Sequence, residues 1–328
     1  MKRKLASIQK IDTLDPIENA DKIERAGVMG WTVVVKKGEF KVGDPCVFFE
    51  VDAVLPKDAP WAEFMASKNF RVKSCRLRGT LSQGLVLPLS ILSGVGGGFL
   101  EIGSDVTALL KVEQYVAPEK NDLIFAGPFI TRTPQTDEVR IQSFMHMLEA
   151  LKGKPYYITE KADGTSCTVG KTDDKLYVCS RSDEIKEGDN WYWKGARRHH
   201  VTDAVFMDTS VQGEVCGPGI QKNRLNLPEI DMLVFDIWDI RKGEYRPWDE
   251  VLGFCRQYAI TTVRELERGE KFNYCLDDLL AMTDGLYPGT QNRREGIVIR
   301  PLIPERLPTG DRLSFKCLSN AFLLKDEL

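Results

Sequence analysis

Lys161 is the residue of this sequence best suited to form a covalent bond with a substrate. It follows Pro155–Glu160 (PYYITE), an aromatic and β-branched run that predicts a strand, and it precedes Asp163 and Gly164. An amine is a nucleophile, a nearby carboxylate can orient it, and glycine lets the backbone approach a ligand closely. Taken alone, Lys-x-Asp-Gly is equally compatible with a surface turn, so its meaning depends on the rest of the chain.

Five further short motifs follow Lys161 along the chain. They are Cys179-Ser180-Arg181, Gln212-Gly213-Glu214, Phe235-Asp236-Ile237, Glu295–Arg300 (EGIVIR) and Ser314-Phe315-Lys316. In this order, the motifs resemble those of the covalent nucleotidyltransferases, the superfamily of ATP-dependent DNA ligases, RNA ligases and mRNA capping enzymes. The resemblance spans residues 140–325, which is more than half of the chain.

The order of the domains narrows the resemblance to one family. DNA ligases and capping enzymes usually carry an OB domain after the last motif, but here only Cys317–Leu328 follow Lys316. An OB-like domain instead precedes the motifs, and the flanking phrases TDEVRIQS and SFKCLSNAFLLK are similar to the Naegleria- and Deinococcus-type RNA ligases. Many ligases carry a second lysine at the position of Leu318, so the role of that lysine is either unassigned in this chain or falls to Lys325.

The resemblance implies a chemical role for each matching residue. Lys161 would attack the α-phosphorus of ATP, while Lys316 and a bound Mg²⁺ or Mn²⁺ would lower the pKa of the attacking amine and neutralise phosphate charge. Asp163 and Glu295 complete the expected catalytic set, and both, with Glu214, are the expected metal-binding residues, acting through water. The residues expected to bind the nucleotide are Arg140, Thr159, Glu160, Arg181, Glu214 and Phe235.

Ordinary structural roles are the alternative for several of these residues. Any one of the carboxylates could form a surface ion pair, Arg140 could be a solvated residue at a helix start, and Phe235 could be a core residue of a buried strand. A planar guanidinium suits phosphate better than an ammonium does, which favours a phosphate role for Arg140 and Arg181. The family resemblance favours stacking of Phe235 on the purine.

Two domains are expected to position these residues, because 328 residues exceed what one core usually serves. In residues 1–120, strand-like runs such as Gly30–Phe40 and Pro45–Pro56 alternate with turn signals and predict an OB-like β-barrel. Asn19–Ala26 predicts a short helix within this domain. Residues 121–328 would form the adenylyltransferase domain, with the α+β, ATP-grasp-like ligase fold of antiparallel sheets and flanking helices.

Local sequence patterns predict the individual helices and strands of residues 121–328. Apolar residues at helical spacing predict a helix over Ile141–Gly153, and two more helices are predicted at WDEVLGFCRQY and LDDLLAMT. After the strand that leads into Lys161, further strands are predicted at KLYVCS, SVQGEV, MLVFDIWDI, EGIVIRPL and LSFKCL.

A local basic patch is the candidate for binding nucleic acid. The net charge is only −3, so the chain as a whole is not basic. No acidic residue lies between Glu63 and Glu101, however, and five basic residues fall within that interval: Lys68, Arg71, Lys73, Arg76 and Arg78. A solvated strand face is the alternative. The glycine cluster 94–98 lacks the G-x-x-x-x-G-K-[ST] pattern and is interpreted as a loop.

Several features indicate an intracellular protein without a membrane segment. Eight cysteines are scattered without a C-x-x-C pair, which predicts neither a zinc site nor disulfides. The N-terminus lacks the apolar region of a signal peptide, and no apolar run is long enough to span a membrane. The C-terminal Lys-Asp-Glu-Leu matches an ER-retention signal only in secretory proteins, so we interpret it as coincidence or truncation. We expect a monomer.

The sequence therefore predicts an ATP-dependent RNA ligase that joins 5′-phosphate and 3′-OH ends through a lysyl-AMP intermediate. Its expected partner is RNA, or a duplex nick with a ribonucleotide at the 3′-OH. A DNA ligase and a GTP-using capping enzyme are alternative enzymes. A nucleic-acid-binding module with an inactive pocket is the alternative from another class.

Overall fold

The computed structural model describes residues 3–93, 100–116, 124–130, 132–173 and 175–326. The chain divides into two compact units, Met1–Glu119 with Leu323–Leu328, and Lys120–Phe322. The glycine cluster 94–98, which is interpreted as a loop from its sequence, lies outside the described residues. The side chains of residues 325–328, including that of Lys325, also lie outside them. No helix within the described ranges is long and apolar enough to cross a membrane.

The first unit consists mainly of short strands. They are β1 (Ala6–Lys10), β2 (Thr13–Pro16), β3 (Ile23–Val28), β4 (Trp31–Lys36), β5 (Pro45–Phe49), β6 (Ala53–Val54), β7 (Cys75–Leu77), β8 (Thr80–Ser82), β9 (Leu85–Pro88) and β10 (Glu113–Gln114). Two 3₁₀ helices accompany them, at Pro60–Lys68 and Leu89–Leu92. The strands pair as β1-β5-β9, β2-β3-β4, β7-β8 and β10-β6, always antiparallel.

Strand alternation explains why these residues form sheets. In β4, Trp31, Val33 and Val35 are buried while the residues between them are more exposed, which gives the strand one core face. The helix predicted over Asn19–Ala26 is wrong. Asn19 has φ of 56° and lies outside any helix, and β3 pairs with β2 and β4 on its two edges. Pairing on both edges outweighs the local helical signal.

The second unit contains twelve of the described strands. They are β11 (Phe125–Pro128), β12 (Val139–Arg140), β13 (Tyr156–Lys161), β14 (Thr165–Thr172), β15 (Lys175–Cys179), β16 (Asp183–Ile185), β17 (Thr209–Cys216), β18 (Asp231–Asp239), β19 (Glu244–Tyr245), β20 (Glu265–Gly269), β21 (Gly296–Pro301) and β22 (Phe315–Leu318). All strands predicted from the local patterns of this unit are present.

The described helices of this half of the chain are short. They are α1 (His146–Leu151), α2 (Trp191–Arg198), α3 (Val201–Ala204), α4 (Trp248–Gln257), α5 (Leu276–Met282) and α6 (Asn320–Asp326), with a 3₁₀ helix at Ile141–Ser143. The helices predicted at WDEVLGFCRQY and LDDLLAMT are therefore confirmed as α4 and α5. The helix predicted over Ile141–Gly153 is shorter, because its first turn is the 3₁₀ helix and α1 ends at Leu151.

Two sheets organise the second unit. One has seven strands in the order β11-β16-β15-β14-β17-β18-β19, and α2 and α4 pack on it around Trp193 and Trp248. The other has five strands in the order β12-β22-β21-β13-β20, and α1 and α5 contribute Met147 and Leu279 to its core. The pairs are antiparallel apart from β12 and β22, which run parallel.

Candidate active site

A cleft of about 310 Å³ in the second unit collects residues from both of its sheets. The lining residues are Thr136, Asp137, Glu138, Thr159, Glu160, Lys161, Ala162, Gly164, Thr165, Ser166, Arg181, Glu214, Gln221, Phe235, Val263, Val298, Arg300 and Lys316. Seven of the predicted nucleotide-binding and catalytic residues are among them. Arg140, Asp163 and Glu295 are not in this lining but lie next to residues that are.

Lys161 is the last residue of β13, where the ladder with β21 ends. Its ladder partner is Gly296, and Glu295 immediately precedes that glycine. The Lys161 Nζ donates to Glu295 Oε2 at 2.6 Å, and both side chains are largely buried. Strand pairing thus brings together two motifs that are far apart in the sequence.

Three carboxylates determine the protonation of Lys161. Burial lowers the pKa of its amine, but Glu295, Glu214 and Asp163 outweigh burial and raise the pKa overall. The expectation that Lys316 together with a bound metal lowers this pKa stays a prediction, and the carboxylates of the protein by themselves act in the opposite direction. The lysine is held as an ammonium.

Lys316 is the lysine whose pKa is lowered. Burial, Lys161 and Arg140 together lower the pKa of Lys316 to about 8. Its position follows from strand order: Lys316 pairs with Val298 of β21 on one side and with Arg140 of β12 on the other. Arg140 thus lies beside Lys316, on an edge strand of the five-stranded sheet.

Glu214 comes from the other sheet, where it pairs with Ser166 in the β14–β17 ladder. Burial raises the pKa of Glu214 to about 7, with Glu295 and Asp163 adding to the effect and Lys161 opposing it. Among the described residues, no three carboxylate, histidine or cysteine side chains converge closely enough to hold a metal ion by themselves. Carboxylates that hold Mg²⁺ or Mn²⁺ through water and phosphate oxygens need not converge, so this donor set fits such an ion.

The turn after Lys161 packs tightly against β17. A Cβ atom on Gly164 would lie 2.4 Å from the carbonyl oxygen of Val215 and 2.9 Å from Glu214 Cγ, so only glycine fits without displacing the strand. Asp163 forms an ion pair with Arg224, and both residues are buried. Arg224 is a residue that sequence reasoning missed, because it lies in an irregular segment without a recognisable motif.

Phe235 reaches the cleft through a β-bulge. In the β17–β18 ladder, Gly213 pairs with Val234 and Gln212 pairs with Asp236, which leaves Phe235 as the extra, unpaired residue. A bulge re-aims the side chain of such a residue. The guanidinium carbon of Arg300 lies 5.6 Å from the centroid of the Phe235 ring. Phe235 is only partly buried and therefore has ring surface to offer a base.

A buried ion network lies beside this aromatic residue. Both carboxylate oxygens of Asp236 accept from Arg312 at 2.7 Å, and Arg300 donates to Glu138 at 2.7 Å. Arg300 also approaches Asp236 at 3.3 Å. Asp236 is thus satisfied within the core. Glu138 and Arg300 line the cleft, and the sequence motifs contained both residues without indicating this role.

The remaining predicted nucleotide-binding residues differ in exposure. Thr159 and Glu160 are buried on β13, and Glu160 Oε1 accepts no hydrogen bond from the residues that the structure describes. Arg181 is 68% exposed at the cleft and pairs with Asp137 at 3.0 Å. A phosphate that binds Arg181 would therefore compete with a surface carboxylate.

The predicted basic patch lies in the first unit, from the end of the 3₁₀ helix Pro60–Lys68 to the β7–β8 hairpin. Its members Lys68, Lys73, Arg76 and Arg78 are exposed. Arg71 is already engaged, since it pairs with Asp52 at 2.6 Å and its guanidinium carbon lies 3.4 Å from the centroid of the Tyr115 ring.

Comparison with known proteins shows two matching families. Residues 5–89 match an OB-fold domain, and residues 154–318 match the RNA ligase family. The chain is 34% identical to the Naegleria gruberi RNA ligase in its structure with PPi, with a TM-score of 0.82 and 99% of each chain covered. The structure of a lysine-to-alanine variant of that ligase with ATP and Mn is also similar to this chain. The two sequences are 33% identical and the TM-score is 0.83, with 98% of this chain and 99% of the other covered.

These matches confirm the fold class and the family predicted from the sequence. They cover the OB-fold region and the motif-bearing region in the predicted order. The family matched over the site is RNA ligase, and the N. gruberi ligase resembles the chain over nearly its whole length. The chain therefore belongs to the RNA ligase family, with an OB-fold region preceding the ligase region.

Proposed function

We propose that this RNA ligase uses ATP and carries AMP on Lys161. The observation that carries the proposal is the placement of Lys161, in contact with Glu295, in a cleft that is lined also by Lys316 of the same sheet and Glu214 of the other sheet. The N. gruberi ligase has been studied with ATP and Mn and with AMP and Mn, which supports the same nucleotide and a divalent metal here.

The first step transfers AMP to the protein. The deprotonated amine of Lys161 attacks the α-phosphorus of ATP, the bond to the β-phosphate oxygen breaks, and pyrophosphate leaves. Lys316 and Arg140 supply positive charge where the phosphate oxygens gain negative charge. Thr159 and Glu160 on β13 and Phe235 hold the nucleoside, and Arg181 binds a phosphate after separating from Asp137.

Asp163, Glu214 and Glu295 are the residues that would hold Mg²⁺ or Mn²⁺, through water and phosphate oxygens. When bound, the metal would supply positive charge that offsets the field of these carboxylates at Lys161 and neutralises charge on the phosphate. Because the negative charge of these carboxylates raises the pKa of the Lys161 amine, offsetting that charge would lower the pKa. The ion pair with Glu295 holds the Lys161 amine in place, and the amine must lose its proton before it attacks.

The second and third steps use the same cleft. The 5′-phosphate of a strand attacks the phosphorus of the lysyl-AMP, the bond from that phosphorus to the Lys161 nitrogen breaks, and a 5′-5′ pyrophosphate forms. The neighbouring 3′-OH then displaces AMP to form the phosphodiester bond. Both steps are phosphoryl transfers, for which positioning and electrostatic stabilisation supply most of the catalysis. We assign strand binding to residues 1–120 and nucleotide chemistry to residues 121–328.

The preferred substrate is proposed to be a nick with ribonucleotides at its 3′-OH side. The exposed basic residues of the first unit, Lys68, Lys73, Arg76 and Arg78, are suited to phosphate contacts, whereas Arg71 would contribute only after leaving Asp52. A monomer is the proposed oligomeric state. The eight cysteines are unpaired, which supports a reducing compartment.

Nucleotide labelling tests this proposal. The purified protein is incubated with ATP or GTP labelled at the α-phosphate, with Mg²⁺ or Mn²⁺, and the modified residue is located by mass spectrometry. We expect label from ATP, on Lys161, and none from GTP. Label from GTP would point to capping chemistry, and absence of any label would point to a nucleic-acid-binding module with an inactive pocket.

A further inference from the structure

A buried tyrosine that belongs to none of the sequence motifs links the backbones of the two residues that form the central ion pair. The hydroxyl of Tyr287 donates to the carbonyl oxygen of Lys161 at 2.8 Å and accepts from the backbone N–H of Glu295 at 3.1 Å. Tyr287 is 1% exposed. Its hydroxyl lies at the end of the β13–β21 ladder, whose last pair is Lys161 and Gly296.

The same segment also reaches Asp163, by a second route. The backbone N–H of Tyr287 donates to the carbonyl oxygen of Asn292 at 2.9 Å, which closes a turn. The Asn292 side chain donates to the backbone oxygen of Arg224 at 2.8 Å. The Arg224 guanidinium pairs with Asp163. Residues 287–292 therefore contact Lys161 directly and Asp163 through Arg224.

We propose that Tyr287 is a positioning residue for AMP transfer, and that Tyr287 and Asn292 with Arg224 form a clamp on the Lys161–Asp163 turn. The inference rests on the proposed role of Lys161 as nucleophile. Attack on phosphorus requires the amine to lie in line with the leaving oxygen, and a displacement of about 1 Å can reduce a rate on the order of 100-fold. The hydroxyl restrains the amine by fixing the Lys161 backbone relative to Glu295.

An ordinary core role makes a different prediction for the same residue. A tyrosine that only fills space stabilises the fold, so its loss lowers the fraction of active protein without changing the rate constant of the molecules that remain folded. A tyrosine that positions Lys161 changes that rate constant even when every molecule is active. Amplitude and rate constant of a single turnover separate the two roles.

The experiment compares Tyr287→Phe with a matched control, Tyr177→Phe. Tyr177 is equally buried and its hydroxyl also has two partners, Thr133 and Ser210, but none of the three lines the cleft. Pre-steady-state adenylation is followed at saturating labelled ATP. We expect Tyr287→Phe to lower the rate constant about 10- to 100-fold at unchanged amplitude, and Tyr177→Phe to leave it within about twofold of the wild-type value.

A surface variant keeps the inference testable if Tyr287→Phe does not fold. Asn292 is exposed, so Asn292→Ala removes its contact with Arg224 without opening the core, and the neighbouring exposed Gln291→Ala is its control. We expect the adenylation rate constant to fall about 3- to 10-fold in Asn292→Ala and to stay unchanged in Gln291→Ala.

Two results would overturn the proposal that these residues clamp the turn. One is a Tyr287→Phe protein with a wild-type rate constant, and the other is an Asn292→Ala protein indistinguishable from Gln291→Ala. Labelling of the wild-type protein on Lys161 is the internal reference. If that label is absent, the proposed nucleophile fails; if it is present and the variants behave as wild type, only the clamp fails.

Discussion

Lys161 Nζ and Glu295 Oε2 lie 2.6 Å apart although 134 residues separate them in the sequence. The pair exists because β13 and β21 are ladder neighbours and both motifs fall at the same end of that ladder. In the ligand-free protein the contact favours the ammonium form of the lysine. If Lys161 is the nucleophile, as we propose, its amine must lose this proton before it can attack a phosphate.

The covalent role of Lys161 predicts different effects on different steps. Lys161→Ala should abolish adenylation and still seal a pre-adenylated strand at a reduced rate, because only the first two steps use the amine as a carrier. Lys161→Arg is the matched control: it can keep a pair with Glu295 but cannot form lysyl-AMP. A stable AMP adduct on Lys161→Ala would show that another residue is the nucleophile.

The buried carboxylate of Glu214 should cost stability at neutral and higher pH. Because its pKa is raised from 4.5 to about 7, folding favours the protonated form. The stabilisation is complete below the unfolded pKa and is lost as the pH rises through about 7. Glu214→Gln stays neutral, so it should exceed the wild type in free energy of unfolding by about 1 to 3 kcal/mol at pH 8.

Urea unfolding at pH 5, 6.5 and 8 measures this difference. The gain of Glu214→Gln should shrink towards pH 5, while adenylation falls at every pH because a metal-binding carboxylate is lost. Glu149→Gln, at an exposed ion pair with Lys152, should change stability by only a few tenths of a kcal/mol. A Glu214→Gln gain that does not depend on pH would contradict the assignment.

The close packing of Gly164 predicts a defect from one methyl group. Gly164→Ala places a carbon against the Val215 carbonyl, so the turn or β17 must shift. We expect a loss of about 1 to 3 kcal/mol in stability and at least about a 10-fold slower adenylation. Gly188→Ala is the control, since the nearest atom to its added Cβ is 4.0 Å away. Equal activity of both variants would show that the turn tolerates displacement.

The exposed arginines of the β7–β8 hairpin should matter for strand binding only. Replacing Arg76 and Arg78 by Gln should weaken binding of a nicked duplex and reduce the slope of log K against log salt by up to about 2, as expected for two phosphate contacts. Self-adenylation should not change. Arg25→Gln, at an exposed ion pair with Asp15 in the same unit, is the control. An unchanged salt slope would remove the hairpin from the binding surface.

Discrimination between sugars is expected at the 3′-OH side of the nick. The 2′-hydroxyl is what lets a protein distinguish RNA from DNA at one position. One or two terminal ribonucleotides should suffice for efficient sealing, even on DNA templates, whereas an all-DNA nick should be adenylated but sealed slowly. Single-turnover sealing of two nicks that differ only in the terminal 2′-OH tests this, and equal rates would favour a DNA ligase.

Regular strands made much of the site predictable. Lys161, Glu214, Phe235, Glu295 and Lys316 all lie on strands, or next to them, and the hydrophobic patterns of those strands are clear in the sequence. The order of these motifs along the chain resembles that of the family, which indicates that folding brings the residues together. Motifs on strands are informative because strand pairing places residues that are distant in the sequence side by side.

Arg224 and Tyr287 could not be predicted in the same way. Both lie in irregular segments without periodicity, and each acts on Lys161 or Asp163 through contacts that only the tertiary structure creates. The direction in which the protein's own groups shift the pKa of Lys161 could not be predicted for a related reason. Residue types show that carboxylates and lysines are present, but the sign of the shift depends on their distances and burial.

The bulge at Phe235 makes the direction of its side chain independent of the direction of the Asp236 side chain. In a strict two-residue repeat, moving one side chain to a new face moves all the others. Because Phe235 is the extra residue of β18, its identity can change while Asp236 keeps both bonds to Arg312. If Phe235 holds the nucleoside as we propose, the fit to the base can be varied at this one position without rebuilding the sheet.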